Sequence, residues 1–341
     1  MRENANSPEH AQKLQAAFFT SKLWPKGSTI KIGFLPLKKG QTQATWTMID
    51  VMKARRLADG SPSPIDPIEY KIRGMSHEDA VKTVIKERIQ PITDLKLTFV
   101  NDVDSADVRI AFDSKAGSWS LLGTDCLHES TRSGDSTPHR GQHGDRAPPN
   151  PKRVSPRANT ATMNLGWMDA ATIMHECGHM IGMIHEHDNP NHNGIAWDLP
   201  KLYAWAKQTQ GWSKEQVDTN IVGKYKLSQL NASVFDPNSI MLYFFPASLT
   251  TDHKATNVNQ RLSPVDVSYI SKIYPGGEMS PSEFYVDAYG VGLAGPGVLG
   301  RIQAHWRLLL FLLLCLLLFL AWKYFHTWRS KKKKGKKGGK K

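Results

Sequence analysis

The sequence predicts an α+β fold, a single bilobed domain in which a lobe of strands and helices precedes an irregular one. Three observations predict it. Short strand-like runs alternate with helical runs through the first half, a strongly signalled helix follows at 170–180, and the region beyond holds an apolar segment entered through Asp236-Pro-Asn-Ser239. In chain order, residues 29–35 alternate polar and apolar and read as a strand, while 43–57 and 77–90 read as helices. Ser76 with Asp79 three residues on is a capping-box-like start for the second helix. Residues 95–100 and 108–112 read as further strands, and Gly117 to Gly123 follows as a glycine-bounded stretch. Helices are expected at 199–209, 213–221 and 264–273. About 250 residues of this kind suffice to bury a full core.

The chemistry concentrates in His-Glu-Cys-Gly-His-Met-Ile-Gly-Met-Ile-His, residues 175–185, which has the form HExxHxxGxxH. Asp169 is a candidate N-cap for the helix Ala170 to Met180, whose apolar residues Ile173, Cys177, Met180 and Ile181 recur at helical spacing. Histidines four apart share a helix face, so His175 and His179 can bind one Zn²⁺. Glu176 between them is positioned to take a proton from water at the metal. Gly182 accepts the positive φ of a sharp helix exit, which lets His185 return as a third nitrogen ligand. Three protein ligands leave a fourth position open, as catalysis requires.

A second signal lies at Phe235-Asp-Pro-Asn-Ser-Ile-Met-Leu-Tyr243. With the zinc motif upstream, it resembles the Met-turn of metzincin proteases. Thr162-Met-Asn-Leu-Gly-Trp167, Asn193-Gly-Ile-Ala-Trp-Asp198, Leu262-Ser-Pro-Val-Asp266, Ile273-Tyr-Pro275, Leu23-Trp24 and Ile30-Lys-Ile-Gly-Phe34 extend the likeness to astacin-like members of fungi and bacteria. It covers residues 20–278. The resemblance implies a zincin fold with a twisted mixed sheet, a backing helix and the active-site helix in the N-terminal lobe, and an irregular C-terminal lobe holding the Met-turn. It further implies that Met241 forms the apolar floor beneath the imidazoles and that Tyr243 approaches the metal to stabilise an oxyanion. In this family an edge strand pairs with extended peptide substrate, and 117–122 is the candidate edge. Glu186 matches the glutamate that follows the third histidine in astacins, but Asp188 stands where an arginine is usual and Leu242 where many members have histidine. Neither departure touches a ligand or the base, so both bear on substrate preference and activation.

Charge is uneven along the chain. Of the net +13, ten positive charges lie between Lys323 and Lys341 with no acid among them, leaving about +3 for the rest. A nearly neutral domain gives no argument for nucleic-acid binding, and none is expected. Residues 128–158 form a long polar insertion rich in Pro, Arg, Gly and Ser, in which His128, His139 and His143 read as solvated loop residues. Cys126 and Cys177 can pair only if the fold brings them together, and Cys177 occupies no ligand slot.

The domain organisation read from these features is a polar segment 1–19, the zinc domain 20–278, a linker 279–305, a transmembrane helix 306–325 and a polybasic tail 326–341. The fifteen apolar residues Leu308 to Trp322 span about 22 Å as a helix, short of a ~30 Å hydrocarbon core. Snorkelling by Arg307 and Lys323, with Trp306, Trp322 and Tyr324 at the interfaces, offsets part of the deficit. A cytosolic basic tail places the domain on the extracellular or lumenal side. Residues 1–18 nevertheless show no apolar signal region, and tail anchoring of a cytosolic domain is the alternative.

Taken together, the residues specify a zinc endopeptidase acting on protein or peptide and held to a membrane by its C-terminal segment. The rival is a non-catalytic, zinc-stabilised, membrane-anchored binding protein. Glu176 argues against it, because a purely structural zinc site has no use for a base.

Overall fold

The computed structural model describes residues 18–127, 160–189, 195–223, 230–231 and 235–290. The insertion 128–158, the expected membrane helix 306–325 and the basic tail 326–341 lie outside the described residues. Among those described, no helix is long and apolar enough to cross a membrane. One compact unit ends at Tyr289 and a second begins at Gly290; every strand and helix below belongs to the first.

The first lobe is built on a five-stranded sheet. Its strands are β2 (Thr29–Phe34), β4 (Lys96–Phe99), β5 (Val108–Ala111), β6 (Trp119–Ser120) and β7 (Met163–Asn164), in the order β4-β2-β5-β7-β6. All neighbours are parallel except β6, which pairs antiparallel with β7 in the register Trp119↔Asn164. β5 is buried along its whole length, as a central parallel strand covered on both faces should be. β6 lies at one edge, in the stretch read as a candidate edge strand, and sits beside the zinc-motif helix.

Helices pack around this sheet. α1 (Ile49–Ala54), α2 (Ile68–Ile72) and α3 (His77–Val84) follow β3 (Thr45–Trp46). The Ser76 hydroxyl accepts from the Asp79 amide, the expected cap, and α3 continues through π and 3-10 turns to Ile92. Ala80, Val81, Val84, Ile85 and Ile89 bury one side of that run. The helix expected over 43–57 is mostly absent: Gln43 bridges to Asp113, β3 pairs parallel with β8 (Trp167–Met168), and only 49–54 is helical. Thr45, Trp46 and Thr47 favour extended backbone, and the partner strand is remote in sequence.

The zinc-motif helix α4 (Ala170–Met180) is followed by α5 (Leu199–Gln210) and α6 (Lys214–Val217), which is extended by a π turn to Val222. These elements bury a separate core in which Leu202, Ala206, Val217 and Ile221 pack with Phe245 and Leu249. α7 (Pro264–Ile273) matches its expected span. Among the described residues, little else in the second lobe is regular.

The folded body is longer at both ends than the domain read as 20–278. Phe18 opens β1 (Phe18–Phe19), pairs with β9 (Leu230–Asn231), is fully buried, and packs on the rings of Tyr269 and Tyr274. The segment read as a linker, 279–305, begins with α8 (Pro281–Tyr289). Phe284 and Tyr285 are buried, Tyr285 donates to the Leu262 carbonyl at 2.6 Å, and the guanidinium groups of Arg88 and Arg261 lie over the Tyr289 ring. The signal was legible in Ser280-Pro-Ser-Glu283, where the Glu283 carboxylate accepts from Ser280 N at 2.8 Å and Ser280 Oγ from Glu283 N at 3.3 Å.

Candidate metal centre

Both ends of α4 are tied down, and that fixes the ligands it carries. At the start, Asp169 accepts from Thr172 N at 2.7 Å, the expected N-cap. A second carboxylate, Glu69 of α2, accepts from Ala170 N at 2.6 Å, although burial raises its pKa. Two acids at a helix N-terminus complement its dipole. At the far end the chain turns at Gly182, whose φ is +100°, with Gly182 N donating to His179 O and Met183 N to Gly178 O, both at 2.9 Å. Two carbonyls left over by the helix end are met from outside: Trp24 Nε1 donates to Met180 O at 2.8 Å and the Tyr274 hydroxyl to Ile181 O at 2.7 Å.

This exit brings the three motif histidines together. His185 Nε2 lies 3.3 Å from His175 Nε2 and 3.0 Å from His179 Nε2. Each helix histidine turns its other nitrogen to a backbone carbonyl: His175 Nδ1 to Ile240 O and His179 Nδ1 to Met183 O, both 2.8 Å. A ring nitrogen that donates to a carbonyl leaves the opposite nitrogen as a lone-pair donor, so the Nε2 atoms converge in the form that ligates metal. Three imidazoles in this arrangement suit Zn²⁺, and His175, His179 and His185 could hold one such ion. Glu176 is 4 % exposed and follows the first ligand on the same helix.

The 235–243 segment passes next to the triad. Met241 is buried, and its sulfur lies against Gly178, where a β-carbon would stand only 2.5 Å away. Tyr243 is 40 % exposed, with its ring 5.6 Å from that of His175, 4.1 Å from that of His185 and 5.3 Å from that of His187. His187, Asn189 and Asp188, the last standing where an arginine is usual, are all buried. A second close group, His185, His187 and Asp188, shares a ligand with the first.

Beneath the turn lies a set of buried acids. Glu186 accepts from Asp236 N and Asn189 Nδ2, both at 2.9 Å, and burial pushes its carboxyl up to about 8. Asp236 accepts from the Ser263 hydroxyl. Asp266 accepts from Ser239 Oγ at 2.7 Å and from Ile240 N at 2.8 Å. Burial raises both aspartates, and the charge of Asp236 adds to the shift of Asp266. The sequence marked Glu186 and the stretch 262–266 but assigned no role to Asp266 or Ser239; the one local sign was Ser263-Pro-Val-Asp266, a capping pattern. Cys126 and Cys177 are both buried free thiols, and burial raises both, so neither serves as a thiolate ligand.

No protein-family model and no curated protein matches this chain. Among solved structures, that of myroilysin superposes with a TM-score of 0.52 and 27 % identity, over 76 % of this chain and 99 % of that one. The fold of the chain is that of an astacin-like metzincin. A hatching enzyme zinc-protease from the medaka Oryzias latipes also aligns, at 15 % identity and TM-score 0.38 over 75 % of this chain and 95 % of that one, and the likeness to myroilysin is the one that counts. The α+β architecture expected of a metzincin is present, with the mostly parallel sheet and α4 in the first lobe. The chain is accordingly a zinc-dependent metallopeptidase.

Proposed function

We propose that the chain is an endopeptidase that cuts extended protein segments at the His175, His179, His185 centre, with Glu176 as general base. The observation that carries this reading is the convergence of three Nε2 atoms, with the buried carboxylate of Glu176 next in sequence to the first of these histidines. Zinc held by these three histidines would supply Lewis acidity toward the scissile carbonyl and the attacking water. Glu176 takes the proton of the attacking water and delivers it to the departing nitrogen, as a carbon–oxygen bond forms and the carbon–nitrogen bond breaks. Its burial on α4 supports the role, because a base shielded from bulk water exchanges its proton with the reacting groups. The Tyr243 hydroxyl donates to the developing oxyanion, a role supported by a solvent-open ring that lies across His175 and His185. Substrate adds to the sheet at β6, whose outer edge has no partner strand among the described residues.

The test uses the full-length chain as wild type, Glu176→Ala and Tyr243→Phe, with bound zinc quantified and cleavage of a mixed peptide library followed. Zinc near one per chain is expected in all three. Loss of the base should slow cleavage by about 10²–10⁴-fold, and loss of the phenol by about 10²-fold. An undiminished rate in Glu176→Ala sinks the mechanism, and an unaltered rate in Tyr243→Phe removes the tyrosine from it.

The C-terminal run Leu308 to Trp322 and the basic tail support a membrane-held enzyme, with the peptidase on the extracellular or lumenal side.

A further inference from the structure

We propose that Asp266 is a positioning residue of the metal centre. From the first turn of α7 its carboxylate holds the 239–241 turn, and that turn holds His175 and the backbone leaving His185. The inference rests on the zinc-site reading above and goes beyond it.

Asp266 is fully buried and spends both oxygens on this task. Oδ1 accepts from the Ser239 hydroxyl at 2.7 Å. Oδ2 accepts from Ile240 N at 2.8 Å and from Ser263 N at 2.9 Å. The Ser239 oxygen in turn accepts from Met241 N at 3.1 Å, so one carboxylate orders three consecutive residues. Each of those residues, or its neighbour in the turn, touches the frame that carries the ligands. The Ile240 carbonyl accepts from His175 Nδ1 at 2.8 Å, which keeps the Nε2 lone pair available. The Met241 carbonyl accepts from Glu186 N, next to His185, at 3.1 Å. The Met241 side chain fills the space beside Gly178, between His175 and His179.

A helix cap alone would account for the contacts to Ser263. It would not account for those to Ser239 and Ile240, which lie 27 and 26 residues away in the chain. Without the carboxylate, a hydroxyl and two amides lose their buried acceptor, which is costly enough to move the turn until they find others. The Ile240 carbonyl moves with it, and His175 loses the partner that fixes its tautomer and aim.

The full-length chain is compared as wild type, Asp266→Ala, Asp266→Asn and Ser239→Ala. Zinc affinity is read by competition with a chromogenic chelator, kcat and KM on a cleaved peptide, and folding by circular dichroism of the zinc-free proteins. Asp266→Ala should weaken zinc binding by about 10–100-fold and lower kcat with KM little changed. Asp266→Asn keeps an oxygen for the two amides and presents its amide nitrogen to Ser239, so it should recover most of the affinity. A purely structural residue would lower thermal stability and leave the affinity of the folded molecules alone. Wild-type affinity in folded Asp266→Ala overturns the proposal. If that variant does not fold, Ser239→Ala decides: weakened zinc binding supports the role and unchanged binding overturns it. A wild-type chain that binds no zinc sinks the metal-centre reading, and this inference with it.

Discussion

Between the two ligands of α4, Gly178 lies against Met241: a β-carbon there would stand 2.5 Å from the sulfur and 3.3 Å from the terminal methyl. Met241 is buried and its backbone is held on both sides, so the side chain has little room to retreat. Gly178→Ala should therefore destabilise the zinc-free protein by about 1–3 kcal/mol through overpacking. It should also reduce zinc occupancy, because strain enters between His175 and His179. Thermal melts with and without chelator, beside metal analysis, check this; an unchanged melting temperature would mean that the turn yields freely. Gly182 presents a different case. Its positive φ was legible because the motif itself demands a sharp exit, whereas the constraint on Gly178 comes from a residue on a distant turn.

Secondary elements near the site behave as clamped pieces. α4 is held by Asp169 and Glu69 at one end and by Trp24 and Tyr274 at the other, so the ligands sit on a helix that cannot fray. α7 adds the Asp266 clamp, which makes stability depend on pH. Burial and the nearby Asp236 raise the Asp266 carboxyl to about 7, whereas the unfolded chain releases that proton near the ordinary value of about 3.9. Between about pH 4 and pH 7 the folded state therefore binds more protons than the unfolded one. The contribution of this group to stability is greatest below that window and declines as pH rises through it. Other charges face it: Asp236 and Glu186 are close enough to shift with it, and Tyr285 lies nearby. Asp266→Asn removes the proton exchange, so the stability of wild type relative to this variant should fall from pH 4.5 to pH 7.5 in urea unfolding of the zinc-free proteins. Parallel curves would show that Asp266 does not titrate in this range.

At the scale of the molecule, the folded body is closed at both ends by aromatic packing. Phe18 sits on Tyr269 and Tyr274, and Tyr289 lies under Arg88 and Arg261. A chain stopped after Gly290 retains every element that surrounds the zinc site. It should cleave peptides as the 341-residue chain does and should no longer sediment with membranes, if residues 308–322 are the anchor. Fractionation of cells expressing the two forms, followed by peptidase assay of each fraction, separates these effects. Continued membrane association of the short form would end the anchoring reading.

The clustering of His175, His179 and His185 and the span of α4 could be read directly because their information is local. A helix repeats every 3.6 residues, so His175 and His179 must share a face, and one glycine suffices to return His185. The strands 29–34, 96–99 and 108–111 were equally legible from alternation and β-branched residues. Pairing and partner choice are not local in this sense. β3 is a strand because Trp167 and Met168 lie beside it, and α8 belongs to the body because Tyr285 reaches Leu262. The Asp266 clamp exists because two turns far apart in sequence leave buried donors that a single carboxylate satisfies. Such contacts follow from the requirement that every buried polar group find a partner. Which partner is found depends on how the whole chain packs.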